Sequence, residues 1–240
     1  MMEGDEGKAW LASMEEAMAT DIKGMKFACI GEKDRKYVTD PIQLEEFDRA
    51  LDVLRNLGAE ITELSDWDCG LTKATAGVIM LSEGYYHNQE IVDDDSKTMD
   101  EGVRARLRAG KSNSARAFIG ATETWKKLIA KWYSEMGDRV AWLSPTTPER
   151  AIALKEVDES TSPATLTRDA NFLGLCAMSV PTGPRKDGGG DSRGLPTSLQ
   201  IACAPSHHSN KWGSGEAMAL CIARNYESAR GDLLTPPQSA

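Results

Sequence analysis

The sequence predicts an α/β fold in which at least part of the β-sheet is parallel. Three patterns support this prediction: a strand, a helix and a second strand over residues 26–64, a long amphipathic helix over residues 114–136, and two short apolar runs at residues 176–180 and 198–202. A strand, helix and strand of these lengths form a right-handed βαβ unit, whose two strands run parallel. With 240 residues, 40% of them hydrophobic, the chain is long enough for one domain, or two small ones, with a real core.

The helix of the βαβ unit has clear signals at both ends. Asp40 is suited to cap its N-terminus, Pro41 fits the first helical position, and Gly58 follows its end. One apolar stripe of this helix is formed by Leu44, Phe47, Leu51 and Leu54. The first strand of the unit is predicted at residues 26–31 and the second at residues 59–64.

Two further helices are predicted in the middle of the chain. The first covers residues 71–92, and one of its faces carries Ala74, Val78, Leu81 and Tyr85. The acidic run Asp93–Asp95 that follows is interpreted as a solvated loop, with a metal site as the alternative, because adjacent carboxylates repel one another. The second helix covers residues 114–136. Its large apolar residues recur at helical spacing and are interpreted as core residues rather than a ligand cage: Phe118, Trp125, Leu128, Trp132 and Met136.

The last hundred residues are predicted to contain three strands and a helix. The strands are predicted at residues 139–143, 176–180 and 198–202, the last two of them buried, and the helix at residues 214–229. Residues 149–166 are polar without a steady period, which predicts a long surface excursion of the kind that often lines a site. The glycine run Gly188–Gly190 is interpreted as part of a hairpin insertion in preference to an anion-binding cradle.

The charge and the cysteine content exclude several classes of protein. A formal net charge of -9 argues against nucleic acid as a partner, because phosphate backbones are bound by a basic face. Five widely spaced cysteines predict buried free thiols rather than disulfides. Acidic residues stand where a secretory signal carries positive charge, and no apolar run approaches about 18 residues. We therefore expect a soluble cytoplasmic protein with no membrane partner.

Three apparent catalytic signals are not supported by the residues around them. Gly110–Ser112 resembles the end of a phosphate-binding loop, but Ala105 stands where that loop requires a glycine. The adjacent pair His207–His208 cannot direct both rings at one metal from a regular element, so a surface turn is favoured. His87 and Glu83 lie one helical turn apart. This spacing suits an acid–base couple as well as a surface pair, but no nucleophile accompanies the two residues, so a surface pair is favoured. The sequence therefore predicts no metal and no cofactor.

The strongest functional signal is an ordered series of motifs over about residues 25–228. The motifs are the helix residues Glu83, Tyr86 and Asn88, then Val103–Gly110, Leu143–Pro148, Thr167–Gly183 and Gly194–Ile201. Their order and spacing resemble the C-terminal half of the amidase signature family. Members of that family are serine hydrolases that cleave amides with a Ser, a second Ser on a cis peptide bond, and a Lys. All three residues lie in the earlier half of the family sequence, and this chain is expected to begin after them.

The resemblance implies a partial amidase-signature fold, with a mixed β-sheet flanked by α-helices and residues 1–240 as a single domain. It implies a hydrolase part that acts on carboxylic amide C–N bonds, contains no catalytic residue and is inactive alone. It places Thr146, Thr147 and Asn171 at the acyl pocket as substrate-binding residues, with turn capping and loop hydrogen bonding as their alternative roles. A small-molecule amide would then bind once the N-terminal half of the fold is supplied.

One departure from the family pattern bears on the substrate. In relatives that supply ammonia for tRNA-dependent amidation, an arginine on the long helix binds the substrate carboxylate. The nearest residue in this sequence is Trp125, which indicates an amide less polar than glutamine.

The alternative function is a non-catalytic binding or regulatory protein that reuses half of the amidase fold. Such a protein needs a cover for the sheet edge and the apolar face that the absent half would occupy, because open edges and large apolar patches promote association. An amphipathic N-terminal helix is the candidate cover, through Trp10, Leu11, Met14 and Met18. Otherwise the expected macromolecular partner is the N-terminal amidase half or a second copy of this chain.

Overall fold

The computed structural model describes residues 5–157, 164–183, 195–205 and 214–230. Within them lie five strands: β1 (Lys26–Ile30), β2 (Glu60–Leu64), β3 (Ala141–Pro145), β4 (Cys176–Pro181) and β5 (Ser198–Cys203). They form one mixed sheet in the order β2-β1-β3-β5-β4. Strand β1 runs parallel to β2 and β3, whereas β5 runs antiparallel to β3 and β4. The predicted α/β class and mixed sheet are confirmed.

Helices surround this sheet. The α-helices of the described residues are α1 (Asp5–Met18), α2 (Glu32–Arg35), α3 (Pro41–Asn56), α4 (Cys69–Val92), α5 (Glu101–Ala109), α6 (Ala115–Met136), α7 (Thr167–Leu173) and α8 (Gly215–Arg230). Helices α3 and α8 pack on the sheet and on each other, and α1 packs on α8. Helices α4 to α7 pack together as a second group. Gln200 of β5 donates a hydrogen bond to the carbonyl of Leu166, immediately before α7, which ties that second group to the sheet.

The βαβ unit predicted from the first third of the chain is confirmed. Asp40 accepts a hydrogen bond from the backbone N–H of Ile42 at 3.0 Å, and Pro41 is the first residue of α3. Asp40 also accepts from the guanidinium of Arg150 at 2.6 Å, so the cap links α3 to the segment after β3. Gly58 adopts a φ of +89° after the helix, a conformation that glycine reaches without strain.

Three predictions need correction. Strand β4 is not buried: it lies at the edge of the sheet, and its residues alternate between half-buried and exposed except for Val180. Strand β3 begins and ends two residues later than predicted, so Ser144 and Pro145 belong to the strand rather than to the turn. The buried residues of helix α4 are Cys69, Thr72, Thr75, Ala76 and Val92, whereas the predicted stripe is exposed at Ala74 and half-buried elsewhere.

The acidic run lies in a surface loop and the cysteines are free thiols, as predicted, while two other predicted features lie outside the described residues. The acidic run after α4 forms ion pairs, with Asp93 bound to Lys111 at 2.8 Å and Asp95 to Arg108 at 2.7 Å. All five cysteines are free thiols, and only Cys176 is half-buried while the other four are buried. The glycine run of residues 188–190 and the pair His207–His208 lie outside the described residues. No helix in the described part of the chain is long and apolar enough to cross a membrane.

The former phosphate-loop candidate has a packing role instead. Gly110 is buried at the start of a short 3-10 turn after α5, where it lies directly against α4. A Cβ atom at Gly110 would overlap the carbonyl oxygen of Leu81. This close approach of backbone to backbone, rather than anion binding, explains the glycine.

We expect the substitution Gly110→Ala to lower the free energy of unfolding by about 1–3 kcal/mol, because α4 and the 3-10 turn must separate. Gly120→Ala is the matched control, since Gly120 lies in α6 with no atom of the described residues within 4 Å of its missing Cβ, and alanine is the better helix former there. Urea unfolding of both variants checks this prediction. Equal stability of the two variants would contradict it.

Candidate functional site

A groove of about 420 Å³ lies between α4, α6 and α7. Its walls are apolar where Ile79 and Met80 of α4 face Trp125 of α6 and Phe172 of α7. Its rim is polar and includes Glu83, His87, Asn88, Arg168 and Asn171. Concave apolar walls with a few polar groups at the rim are the usual form of a small-molecule site.

Trp125 is held in a fixed orientation in this groove. Its indole N–H donates to the backbone carbonyl of Phe172 at 2.6 Å, and the two rings lie 5.8 Å apart at an interplanar angle of 49°. Trp125 is nevertheless 36% exposed, in contrast to Trp132 about two turns further along the same helix, which is 1% exposed. The prediction that the large residues of this helix are core residues therefore holds for Trp132 and fails for Trp125, which presents part of its ring to the groove.

The polar rim combines three predicted residues in one place. His87 and Glu83, the candidate couple on α4, are both exposed and both line the groove together with Asn171 of α7. Asn88 donates to the carbonyl of Gly84 at 2.8 Å, so its amide is engaged within α4. Arg168 lies across the groove with a guanidinium N–H 3.5 Å from the sulfur of Met80. An acidic side chain, a basic side chain and neutral amides thus border the apolar wall of the groove.

The other two predicted substrate residues lie at the end of β3 rather than in this groove. The hydroxyl of Thr146 is 2.7 Å from that of Ser179 on the neighbouring edge strand β4, and its N–H donates to the carbonyl of Ser198. The hydroxyl of Thr147 donates to the carbonyl of Glu149 at 2.7 Å. Thr147 thus has the turn hydrogen bond that was its alternative role, and Thr146 forms a hydroxyl pair with Ser179.

A buried polar network lies next to this hydroxyl pair in the sheet. Gln200 is 4% exposed, and its amide donates to the hydroxyl of Ser144 at 3.0 Å as well as to the carbonyl of Leu166 at 3.2 Å. Gln200 and Ser144 are direct neighbours across β5 and β3, and Gln200 is also the neighbour of Ser179 across β4. Residues paired directly across strands project from the same face of a sheet. The hydroxyl pair, Ser144 and Gln200 therefore form one polar patch.

A pair of buried carboxyl groups was missed by the sequence analysis. Asp169 of α7 is fully buried, and neither of its carboxyl oxygens has a hydrogen-bond partner in the part of the chain that the structure describes. Asp34 of α2 is 1% exposed, and one of its oxygens accepts from the N–H of Cys69 at 3.1 Å while the other has no partner there. Both carboxyls lie around the first turn of α4.

Burial dominates the electrostatics of this pair. The pKa of Asp169 is raised to about 7, chiefly by burial and in smaller part by the charge of Asp34, against an opposing effect of the nearby side chains of Cys69, Thr72 and Trp67. Burial also raises the pKa of Asp34. The thiol of Cys69, between the two, has its pKa raised as well, chiefly by burial. No sequence pattern distinguishes such an aspartate from the exposed acidic residues, because its burial depends on where α7 packs.

Comparison with known proteins finds relatives that share one description. No protein-family model matches this chain. Over 254 aligned positions the chain is 26% identical to a glutamyl-tRNA(Gln) amidotransferase subunit of Rhodococcus erythropolis, and the match covers 94% of this chain and 49% of that protein. The chain therefore spans about half the length of the curated relatives it matches.

Solved structures share the fold. One is the inhibitor-bound form of a vestigial protein complex that reveals the evolutionary origins of an s-triazine catabolic enzyme, with a TM-score of 0.74, 19% identity, and coverage of 90% of this chain and 45% of that chain. Another is a bacterial aryl acylamidase of the amidase signature family, with a TM-score of 0.65, 13% identity, and coverage of 90% and 46%. At these identities the likeness concerns the fold alone.

Proposed function

Because this chain is homologous to part of the amidase signature enzymes and has their fold, we propose that it is the C-terminal part of an amidase that cleaves carboxylic amide C–N bonds. The observation that carries the proposal is the asymmetry of the match, which covers 94% of this chain but only 49% of the relative from Rhodococcus erythropolis. The nucleophile, its base and the oxyanion donors of such an enzyme belong to the other half of the fold. Alone, this chain is inactive.

The role proposed for this chain is to hold the substrate. Trp125 supplies a flat apolar wall, and Asn171 and Arg168 supply a rim of donors for the polar end of an amide. Thr146 provides a hydroxyl at the end of β3, beside Ser179 of the edge strand β4. A partly exposed indole in place of a carboxylate-binding arginine favours an amide with an aromatic or otherwise apolar acyl group over glutamine.

Reconstitution tests the proposal. This chain is co-expressed with the part of the Rhodococcus erythropolis relative that it does not match, and ammonia release from benzamide and from glutamine is compared for the complex and for the chain alone. We expect no release by the chain alone and release from benzamide in excess of glutamine by the complex. Hydrolysis by the chain alone, or an inactive complex, would contradict the proposal.

Variants of α6 connect the activity to the groove. Trp125→Ala is expected to raise the KM for benzamide about tenfold, because the aromatic wall is lost. The matched control is Ile119→Ala on the same helix, which removes a residue that is 57% exposed and does not line the groove. Equal KM values for the two variants would remove Trp125 from the substrate site.

The alternative, a non-catalytic binding protein, makes the opposite prediction. Its proposed cover, α1, packs against α8: Met14 is buried there, Leu11 remains 56% exposed, and the carbonyl of Met18 accepts from Arg224 of α8 at 2.8 Å. A complex that forms without hydrolysing any amide would favour this alternative.

A further inference from the structure

Helix α7 forms part of the groove although it has only seven residues. Three of its side chains line the groove: Arg168, Asn171 and Phe172. The carbonyl of Phe172 also accepts the hydrogen bond that fixes the indole of Trp125 on α6. Helix α7 packs on α4 and α6, the two other helices of the groove. The shape of the groove therefore depends on where α7 lies against those two helices.

A second side of α7 places a carboxyl group against the first turn of α4. Asp169 follows Arg168 in the sequence, but its side chain is fully buried and does not line the groove. The residues beside it are Cys69, Thr72 and Trp67. Neither of its carboxyl oxygens has a hydrogen-bond partner in the part of the chain that the structure describes. A buried carboxyl group without partners is tolerated when it is neutral, whereas its ionised form is strongly destabilised, so the packing of α7 on α4 fits Asp169 with its proton.

No cation among the described residues forms a hydrogen bond with this carboxyl group. The ionisable side chains on the elements around it are those of Asp34 of α2, Asp68, Cys69 and Lys73 at the start of α4, Lys131 and Glu135 of α6, and Arg168 of α7 itself. The ammonium of Lys73 donates to the hydroxyl of Thr165 at 3.1 Å, and that of Lys131 donates to a backbone carbonyl at 2.7 Å. The charge of Asp34 acts on Asp169 and has the same sign. An ionised Asp169 would therefore lie beside a like charge, with none of these cations bound to it.

We propose that Asp169 is a positioning residue for the groove: its proton keeps α7 on α4, and its ionisation releases α7 and weakens the binding of a ligand. The inference deepens the proposed function and rests on it for the ligand, an amide, but not for the movement of α7. Ionisation transfers the proton to water and leaves a negative charge that becomes hydrated only if α7 moves away from α4. Such a movement displaces the carbonyl of Phe172, to which Trp125 is bonded, together with Asn171 at the rim.

The direction of the pH dependence follows from the two positions of α7. With α7 on α4, burial raises the pKa of Asp169 to about 7. With α7 released, the carboxyl group is hydrated and its pKa returns to about 3.9. Between these two values the released position becomes more favourable as the pH rises, and above pH 7 the balance is constant. From pH 5.5 to pH 7.5 the ratio of packed to released α7 should therefore fall by about 20-fold.

Exchange of the Trp125 indole N–H with water measures the release of α7 in this chain alone. Its NMR signal is assigned by its absence in Trp125→Phe, and the buried Trp132 on the same helix is the internal reference. Because its acceptor is the carbonyl of Phe172, the protection of this N–H relative to a free indole should fall by about 20-fold from pH 5.5 to pH 7.5. Asp169→Asn should show no such fall. Asp34→Asn should show a smaller one, because a like charge beside Asp169 is removed.

Two control variants exclude other ionisable groups as the cause. Histidine side chains titrate in the same range and His87 lies at the rim of the groove, so the fall in protection must persist in His87→Gln. It must also persist in Glu90→Gln, which removes an exposed negative charge from α4. Circular dichroism and thermal unfolding establish that each variant remains folded.

The effect on the ligand is measured in the complex co-expressed with the unmatched part of the Rhodococcus erythropolis relative. The KM for benzamide should rise by up to about 20-fold from pH 5.5 to pH 7.5, because less of the groove is in its packed form. In the complex of Asp169→Asn the KM should stay constant over this range.

The outcomes separate this inference from the proposed function. Equal protection of Trp125 at both pH values, or an equal fall in Asp169→Asn, would overturn the inference and leave the proposed function standing. A fall in protection together with a pH-independent KM in an active complex would overturn the positioning role of Asp169. An inactive complex would overturn the proposed function, whereas the exchange of Trp125 in the chain alone would still support or exclude the release of α7.

Discussion

Asp169→Asn is expected to raise the free energy of unfolding at pH 7 by up to about 4 kcal/mol. The carboxyl of Asp169 is fully buried and has no hydrogen-bond partner among the described residues, and burial raises its pKa to about 7. An aspartate in the unfolded chain has a pKa of about 3.9, and each unit of difference corresponds to about 1.36 kcal/mol. Asparagine has a similar shape and carries no charge, so the variant avoids this cost.

The sign of the pH dependence follows from the direction of the shift. Between about pH 4 and pH 7 the folded chain holds a proton on Asp169 that the unfolded chain has lost, so this residue makes folding less favourable as the pH rises through that range. Above pH 7 its contribution is constant. The raised pKa of Asp34 acts in the same direction, whereas Asp40, whose pKa is lowered by Arg150 against the effect of burial, acts in the opposite one.

The prediction is therefore tested by the difference in the free energy of unfolding between the unsubstituted chain and Asp169→Asn. Urea unfolding of the unsubstituted chain and of Asp169→Asn at pH 4.5, 6 and 7.5 should show a gap that widens as the pH rises. Glu90→Gln, at an exposed position of α4, is the control for removing one negative charge from an acidic protein. A gap that is the same at every pH would show that the Asp169 carboxyl does not titrate in this range.

Arg104→Ala is expected to lower the free energy of unfolding by about 3–5 kcal/mol. Arg104 is 2% exposed, and its guanidinium donates to four backbone carbonyls, two at the C-terminal end of α4 and two in the connection between α4 and α5. These carbonyls belong to Ile91, Val92, Asp94 and Lys97. Removing the donor takes this partner from three partly buried carbonyls, while the buried carbonyl of Val92 still accepts from Arg108. Each buried acceptor left unsatisfied costs about 1–3 kcal/mol.

Two further variants make this prediction specific. Arg104→Lys keeps the charge but loses the planar arrangement of donors, so its loss of stability should be intermediate. Arg106→Ala is the control on the same helix, because Arg106 is partly exposed and its side-chain hydrogen bond among the described residues stays within α5, to the carbonyl of Gly102 at 3.3 Å. Urea unfolding compares all three. If Arg104→Ala and Arg106→Ala agreed within about 1 kcal/mol, the carbonyl cluster would not depend on Arg104.

Arg104 also gives a physical reason for one of the motifs that carry the family resemblance. It lies in the segment Val103–Gly110, at whose end Gly110 packs directly on the backbone of α4. Both residues hold α5 and the following turn against α4, the helix that forms one wall of the groove. Arg104 and Gly110 therefore stabilise the position of α4 without lining the groove themselves.

The sequence by itself determined the elements whose signals are local. The cap at Asp40, Pro41 at the first helical position and the glycine after the helix defined α3, because each acts through hydrogen bonds or backbone angles within a few residues. The order of the motifs likewise predicted the family, since order and spacing are properties of the chain alone.

Only the tertiary structure decided which of these elements are buried and which residues meet. The apolar run at residues 176–180 indicated a buried strand, but its position at the end of the sheet leaves one side without a neighbouring strand in the part of the chain that the structure describes. Asp169 and Asp34 are 135 positions apart in the sequence and become a buried pair because α7 and α2 both pack at the start of α4. Burial and edge position depend on contacts between distant segments, and no local pattern of residues encodes them.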